Sequence, residues 1–473
     1  MGYLRACLGI AFFCLVAWLL SSHRRRFPWR IVVVSLAMQV VLGWLVLETR
    51  SGQRVVQGIA DFVTRLIGMT ADGTRLVFGG LSQADFGAGG WGYPFAFAAT
   101  GLPVILFFSA LMAVLYHFGI MQVVIWAMAR VMTWLMGVSG AESMAIAANV
   151  FVGQTEAPLV VRPYIPRLTR SELNALMTGG FATIAGSVLA VYMGLLGAEL
   201  GPHLLAASVM SAPAAFLMAK IIVPETERAE TAGRVELSIE RTAGNVIEAA
   251  ANGTSDGLKL WLNVIAMLIA FLGLVALVNW PLGWLGAEVA GIPDDLSLGR
   301  IFGWVFAPVA WLMGVEGWHD CQLFGSLLGT KVAVNEFVAY EGLSRMLPLP
   351  VADLLGAAWG AELRFAGLGG GDGGAAGLAI GALLAPGVEH ALAAAPESAR
   401  GLAAHLHGER AAAMAAYALC GFANFASIGI QIGGISPLAP ERKPLISQLA
   451  LKAMLGGAFA SWMTATVAGM FLR

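Results

Sequence analysis

Eight stretches of eighteen or more mostly apolar residues run through this chain, near 3–20, 30–48, 93–116, 172–198, 202–222, 259–280, 411–434 and 445–471. Each is long enough for a helix to cross the roughly 30 Å hydrocarbon core of a bilayer. Only 12% of the 473 residues are charged, about half the share of an ordinary soluble domain. The reading is an all-α integral membrane protein whose first partner is the lipid bilayer. A net charge of −1 excludes a nucleic-acid footprint. Local charge placement is then the informative quantity.

The opening residues, MGYLRACLGIAFFCLVAWLLSSHRRRF, differ from a secretory signal because the charges follow the apolar run and no small-residue cleavage site appears. Residues 3–20 read as a first span, and His23-Arg24-Arg25-Arg26 marks the cytoplasmic side. Arg162, Arg167, Arg170, Lys220, Arg228, Arg234, Arg442 and Lys443 fall on that same side. An even number of spans then leaves both termini extracytoplasmic. Segments 52–70, 118–136 and 236–256 are amphipathic and read as helices lying in the interface.

Two further apolar regions, 138–163 and roughly 313–340, are broken midway by polar residues and by Gly. Non-helical backbone survives at membrane depth only inside protein or along a cavity, so both read as re-entrant hairpins. They are also copies of one another. Trp134-Leu-Met-Gly-Val138 recurs as Trp311-Leu-Met-Gly-Val315, an offset of 177 residues. Thr155-Glu156 recurs as Asn335-Glu336 at an offset of 180, and the GFATIAGS block at 180–187 recurs as GFANFAS at 421–427, offset by 241. By the charge topology the first hairpin enters from the cytoplasm and the second from outside. The halves are inverted, an arrangement found in secondary transporters with a midplane site.

That repeat gives meaning to the glutamates. An isolated charge at the bilayer centre costs about 2.5–3.5 kcal/mol even on the lenient insertion scale, and Glu156 and Glu336 are symmetry mates expected to meet near the midplane. Facing carboxylates suit a neutral or cationic solute rich in hydrogen-bond donors and repel an anion. Gly421 to Asn424 reads as a break in the seventh span.

Residues 149–166 (NVFVGQTEAPLVVRPYIP), 177–190 (MTGGFATIAGSVLA), 335–340 (NEFVAY) and 418–434 (ALCGFANFASIGIQIGG) resemble the signature blocks of concentrative nucleoside transporters. The N-terminal region, with FGGL at 78–81 and LMAVLYHFG at 111–119, resembles the bacterial branch. The resemblance covers nearly all of the chain except about 343–408. It implies eight spans, two opposed hairpins, a homotrimer in the bacterial cytoplasmic membrane, and symport of a nucleoside with sodium or protons. It also implies site residues. Gln154, Thr155 and Glu156 would face the base, Glu336 with Asn424 and Ser427 would hold the ribose hydroxyls, and Phe422 would offer an apolar face. Sodium would sit among the side chains of Asn149 and Thr183 and the backbone carbonyls of Val152 and Ile184. Thr183 stands where relatives carry Ser, and either hydroxyl can ligate sodium.

The expected organisation runs from scaffold spans in 1–116, through the first repeat in 117–222 and an interfacial helix with a scaffold span in 223–298, to the second hairpin in 299–342 and a broken and a last span in 411–473. Between them 343–410 departs from the family pattern, with a glycine-rich linker at 367–377 flanked by Ala-rich helical stretches. It reads as an extracytoplasmic insertion.

Blander readings apply elsewhere. Each glutamate is also suited to capping a half-helix, and Asn149 and Thr183 to bonding across helices as packing. Phe422 among apolar neighbours fits packing as well as stacking. His117, His319 and Asp320 lie near segment ends and read as interfacial, and His405-x-His407 reads as solvated loop. The four cysteines show no metal spacing and read as small apolar residues. No nucleophile–base pair or HExxH helix appears, so the chain reads as no enzyme and needs no organic cofactor. The expected function is a sodium-coupled nucleoside importer working by alternating access, or the same fold coupled to protons through a glutamate.

Overall fold

The computed structural model describes residues 2–78, 102–197, 199–233, 243–289, 296–347 and 406–472. Among those residues the regular structure is helical, and their one β-bridge, between Ser139 and Ala232, is isolated. In chain order the helices are α1 (Gly2–Leu19), α2 (Trp29–Leu47), α3 (Arg50–Phe78), α4 (Val104–His117), α5 (Ile120–Met136), α6 (Gly140–Asn149) and α7 (Ala157–Val160). A 3-10 turn (Arg162–Arg167) leads to α8 (Arg170–Ala182), α9 (Gly186–Leu196), α10 (Gly201–Ile222) and α11 (Val246–Glu288). The second half holds α12 (Leu298–Met313), α13 (Trp318–Ala333), α14 (Glu336–Met346), α15 (Glu409–Leu419), α16 (Phe425–Ile435) and α17 (Lys443–Gly469).

The repeated pentapeptide has a local cause. Its Gly ends a helix both times in the left-handed conformation, Gly137 at φ +72° after α5 and Gly314 at φ +102° after α12. A residue with a Cβ pays to adopt that geometry, so the same stop recurs with the same sequence. A second helix follows each stop and then a break, at 150–156 after α6 and at Val334-Asn335 after α13. The two spans 172–198 and 411–434 are likewise broken, at 183–185 and 420–424.

The core lies where these broken elements meet. Helix α10 is buried along nearly its whole length, with α8 and α17 packed against it. By contrast, the apolar stretch of α11 is unburied within the chain, and its Ile269, Leu277 and Trp280 are exposed. An apolar helix surface of that kind has lipid or another apolar surface as its solvent. Four helical segments are long and apolar enough to cross a membrane among the described residues, or up to six if each bent pair counts as one. The eight apolar runs exceed this number because α1 is short, part of 93–116 lies outside the described residues, the seventh run is split at 420–424, and α17 is long but less apolar than the four.

Several boundaries differ from the sequence expectation. The amphipathic segment 236–256 is no separate interfacial helix where it is described: α11 starts at Val246 and runs unbroken for 43 residues. Asn245 caps it by accepting from the Glu248 N–H at 2.8 Å. Gly253 and Gly257 permit close approach instead of a break, since a Cβ on Gly253 would lie 2.5 Å from the Ser109 carbonyl oxygen on α4. Helix α3 extends well beyond the expected 52–70. Region 313–340 opens in the last residue of α12, from which α13 turns by 111°. It then contains all of α13 and ends inside α14. The glycine-rich linker and Ala-rich flanks of the insertion lie outside the described residues.

Candidate substrate and ion site

Two capping boxes set the start of the first-repeat helices. Ser139 accepts from the Glu142 N–H while the Glu142 carboxylate accepts from the Ser139 N–H, and Thr169 and Glu172 do the same for α8. The boxes are joined, because Ser139 Oγ donates to Glu172 Oε1 at 2.5 Å. Lys220 on α10, fully buried, lies 2.7 Å from Glu142 Oε2 and donates to Ser171 Oγ at 3.0 Å. Helices α6 and α8 are thereby held by one buried ion pair at their N-termini, and their C-terminal ends run together into the broken region.

At that end stand the four residues expected to hold sodium. Thr183 Oγ lies 2.8 Å from the Asn149 carbonyl and 2.9 Å from the Gly179 carbonyl, which share its single proton. The break at 183–185 also docks on the first hairpin, with the Gly186 N–H donating to Phe151 O at 2.9 Å. Asn149 Nδ2 is spent on Ala145 O, and its buried Oδ1 has no hydrogen-bond partner among the described residues. Ile184 is buried and Val152 half-buried. A buried amide oxygen lacking a donor costs roughly 1–3 kcal/mol. A hard cation among Asn149 Oδ1, the Thr183 hydroxyl and the unwound carbonyls removes that cost, so this donor set fits sodium.

The second repeat treats the corresponding helix end differently. Lys331 on α13 is fully buried, and its ammonium donates to Ala418 O at 2.9 Å, Cys420 O at 2.9 Å and Ser461 Oγ at 2.7 Å. All three of its donors are used, and the charge sits at the negative end of α15. At the repeat offset of 241, Ala418 and Cys420 correspond to Met177 and Gly179. Those two carbonyls accept from neutral groups, Gln431 Nε2 at 3.0 Å and Thr183 Oγ at 2.9 Å. Repeat two carries a covalently attached cation where repeat one has none among the described residues.

Glu336 starts α14 and is 6% exposed. Tyr192 donates its hydroxyl to Oε1 at 3.0 Å and Asn424 donates Nδ2 to Oε2 at 2.9 Å. The Asn424 amide is oriented by its role as N-cap of α16, where Oδ1 accepts from the Ser427 N–H at 2.8 Å. Gly421 makes the approach of this break to α8 possible: it has φ +104°, and a Cβ there would lie 2.5 Å from Phe181 O. A carboxylate with two fixed donors keeps lone pairs for a vicinal diol.

The remaining expected residues are spread around these two clusters. Gln154 is buried, its Oε1 has no partner among the described residues, and a Cβ on Gly180 would meet both its Cβ at 3.0 Å and Gln431 Nε2 at 2.6 Å. Thr155 packs on α16, where a Cβ on Gly434 would lie 2.7 Å from its Cγ2. Ser427 is buried and Phe422 half-buried. Glu156 is exposed on the loop entering α7, within Coulombic reach of Tyr116 on α4 and Asp256 on α11. Proline stands at the second position of α7, which is only the four residues Ala157–Val160.

Three residues escaped the sequence reading: Tyr192, Lys331 and Gln431. Lys331 and Gln431 were visible as isolated polar residues in apolar helices, which is a signal in itself. Tyr192 resembled any buried aromatic.

Residues 203–469 match the family profile described as the Na+ dependent nucleoside transporter C-terminus. The chain belongs to this sodium-dependent nucleoside transporter family. Its residues 8–81 match the N-terminal profile of the same family, and 99–199 match a profile described as nucleoside recognition. Family relatives include an uncharacterized transporter of Haemophilus influenzae, 41% identical over all of this chain and 98% of its own length. The nucleoside permease NupC of Helicobacter pylori is 37% identical, over 98% of this chain and 97% of that protein. The sodium/nucleoside cotransporter 1 of Rattus norvegicus is 38% identical over 98% of this chain, which spans only 63% of that longer protein. Among solved structures, CNTnw in an inward-facing substrate-bound state superposes with a TM-score of 0.79 at 37% identity, covering 100% of this chain and 98% of that one. CNTnw in an intermediate state gives 0.81 at 38% identity, over 100% and 99% of the two chains. The chain is accordingly a multi-pass membrane transporter and no enzyme.

Proposed function

We propose that the chain imports nucleosides together with sodium by alternating access, with the ion in the Asn149–Thr183 cluster and the ribose at Glu336. The observation that carries this reading is the orphaned Asn149 Oδ1 beside the broken end of α8. The absence of a fixed cation there, against Lys331 in the other repeat, supports it. Both ion and nucleoside are cargo. Sodium neutralises the negative end of α8 and fixes the 150–156 break. That break carries Gln154, Thr155 and Glu156, which face the base. Glu336, held by Tyr192 and Asn424, accepts from the ribose hydroxyls, Ser427 adds a polar contact beside them, and Phe422 offers an apolar face.

Relatives described as a sodium/nucleoside cotransporter and a nucleoside permease support the cargo. CNTnw has been described in inward-facing, outward-facing and intermediate states, which supports movement of the hairpin-bearing part against a scaffold. The unburied apolar surface of α11 suits lipid and the contacts of a homotrimer. The membrane is the bacterial cytoplasmic one, with both termini extracytoplasmic.

The test is calorimetric titration of uridine into the purified protein, in sodium chloride and in choline chloride at one pH. Sodium should tighten uridine binding in the wild type, and Asn149→Ala should raise the sodium concentration needed for it. Equal affinity in the two salts would remove the ion from the reading.

A further inference from the structure

Away from the buried clusters, His319 and Asp320 in the first turn of α13 meet His407, which lies 87 residues on from Asp320, just before α15. One ligand atom from each lies within 4.8 Å of the others. His319 Nδ1 is 3.3 Å and His407 Nδ1 is 3.4 Å from the same carboxylate oxygen, Asp320 Oδ1. The two imidazoles stack with centroids 4.4 Å apart and an interplanar angle of 19°. His407 does lie in an exposed loop position, and its ring meets His319 and Asp320 there.

Two explanations compete for these distances. A charge-assisted N–H to carboxylate bond settles at about 2.7–2.9 Å, and both contacts are longer. A tetrahedral zinc-class ion held at roughly 2.0–2.1 Å by nitrogen and oxygen separates its ligand atoms by roughly 3.3–3.4 Å. The observed spacings match the second case. We propose that His319, Asp320 and His407 form a binding site for one divalent transition metal ion of the zinc class, with the fourth position open to water.

The surroundings suit that role. Asp320 is nearly fully buried and is oriented by the His407 N–H, 3.2 Å from each carboxylate oxygen. An outer hydrogen bond of that kind fixes a ligating carboxylate. The preceding residue is fixed too, since the Leu406 N–H donates to Met346 O at 2.9 Å. The His407 side chain is 60% exposed, which gives an ion a way in. Two imidazoles and one carboxylate select zinc, cobalt or nickel over magnesium or calcium, which prefer oxygen. A bound ion would clip α13 to the start of α15, across the return of the 348–405 segment. The site is independent of the nucleoside reading and is read without transport.

The experiment uses the full chain in detergent, freed of metal with EDTA and dialysed. Zinc chloride is titrated by calorimetry, and cobalt chloride is followed by its visible absorption. One ion per chain, a four-coordinate cobalt spectrum and a raised thermal midpoint are expected. His407→Ala and His319→Ala, both at partly exposed positions, should weaken zinc binding on the order of 100-fold, while His23→Ala should bind as the wild type does. Each variant's unliganded melt checks that it is folded. Wild-type affinity in a folded His407→Ala variant, or no binding of zinc or cobalt by the wild type, would overturn the site.

Discussion

Asn424 gives its side-chain N–H to Glu336 at 2.9 Å because its own oxygen is already committed to the Ser427 N–H at 2.8 Å. A helix cap thus decides which end of an amide faces a buried carboxylate, and the carboxylate is left as an acceptor for cargo. Glu336→Gln keeps the shape and removes the charge. A hydrogen bond to a charged group contributes about 1.5–3 kcal/mol. Nucleoside affinity should accordingly fall on the order of 10- to 100-fold, as measured by calorimetry at saturating sodium. Affinity within a factor of two of wild type would take Glu336 out of the ribose contact.

Tyr192→Phe tests the support of that carboxylate. It removes one hydroxyl donor at 3.0 Å and leaves the ring packed against Tyr340, 4.4 Å away between centroids. The loss should be smaller than for Glu336→Gln, about 3- to 10-fold in nucleoside affinity for a bond of about 1 kcal/mol, with unaltered sodium dependence. A loss as large as that of Glu336→Gln would mean that Tyr192 itself touches the cargo.

Lys331→Met should act on stability. The substitution strips the donor from Ala418 O, Cys420 O and Ser461 Oγ at once. Unsatisfied buried acceptors cost about 1–3 kcal/mol each, so a marked fall in the melting temperature in detergent is expected. A melt unchanged from wild type would show that water replaces the ammonium.

The Lys220–Glu142 pair allows a double-mutant cycle. Lys220→Met alone leaves a buried carboxylate without its cation and should destabilise by about 3–5 kcal/mol. Adding Glu142→Gln removes the stranded charge and should restore part of the loss. Additive losses in thermal or denaturant unfolding would show that the two groups are uncoupled despite their 2.7 Å separation.

The sequence shows some of this architecture because physical demands recur. Trp134–Val138 and Trp311–Val315 share letters since both must stop a helix at a left-handed glycine. The break at 420–424 shows for the same reason, as Gly421 and Asn424 stand where backbone leaves the helix, whereas the break at 183–185 is spelled Thr-Ile-Ala and carries no such letter. Long-range partners are hidden. Lys331 reads as a misplaced charge until two carbonyls 87 and 89 residues away come to it. Gly253 and Gly257 serve a contact with α4 that lies more than a hundred residues away in sequence and leaves no local mark. His407 finds Asp320 only after the chain has left α14 and returned, and no local spacing records that return.

The central claim is sodium-coupled nucleoside import, and uridine uptake into proteoliposomes tests it most directly, comparing an inward sodium gradient with an inward proton gradient of equal size. Accumulation above equilibrium driven by sodium, and lost in Asn149→Ala, is the predicted result. Accumulation driven by protons alone would contradict it, leaving the Asn149–Thr183 cluster as packing and passing the coupling role to a glutamate.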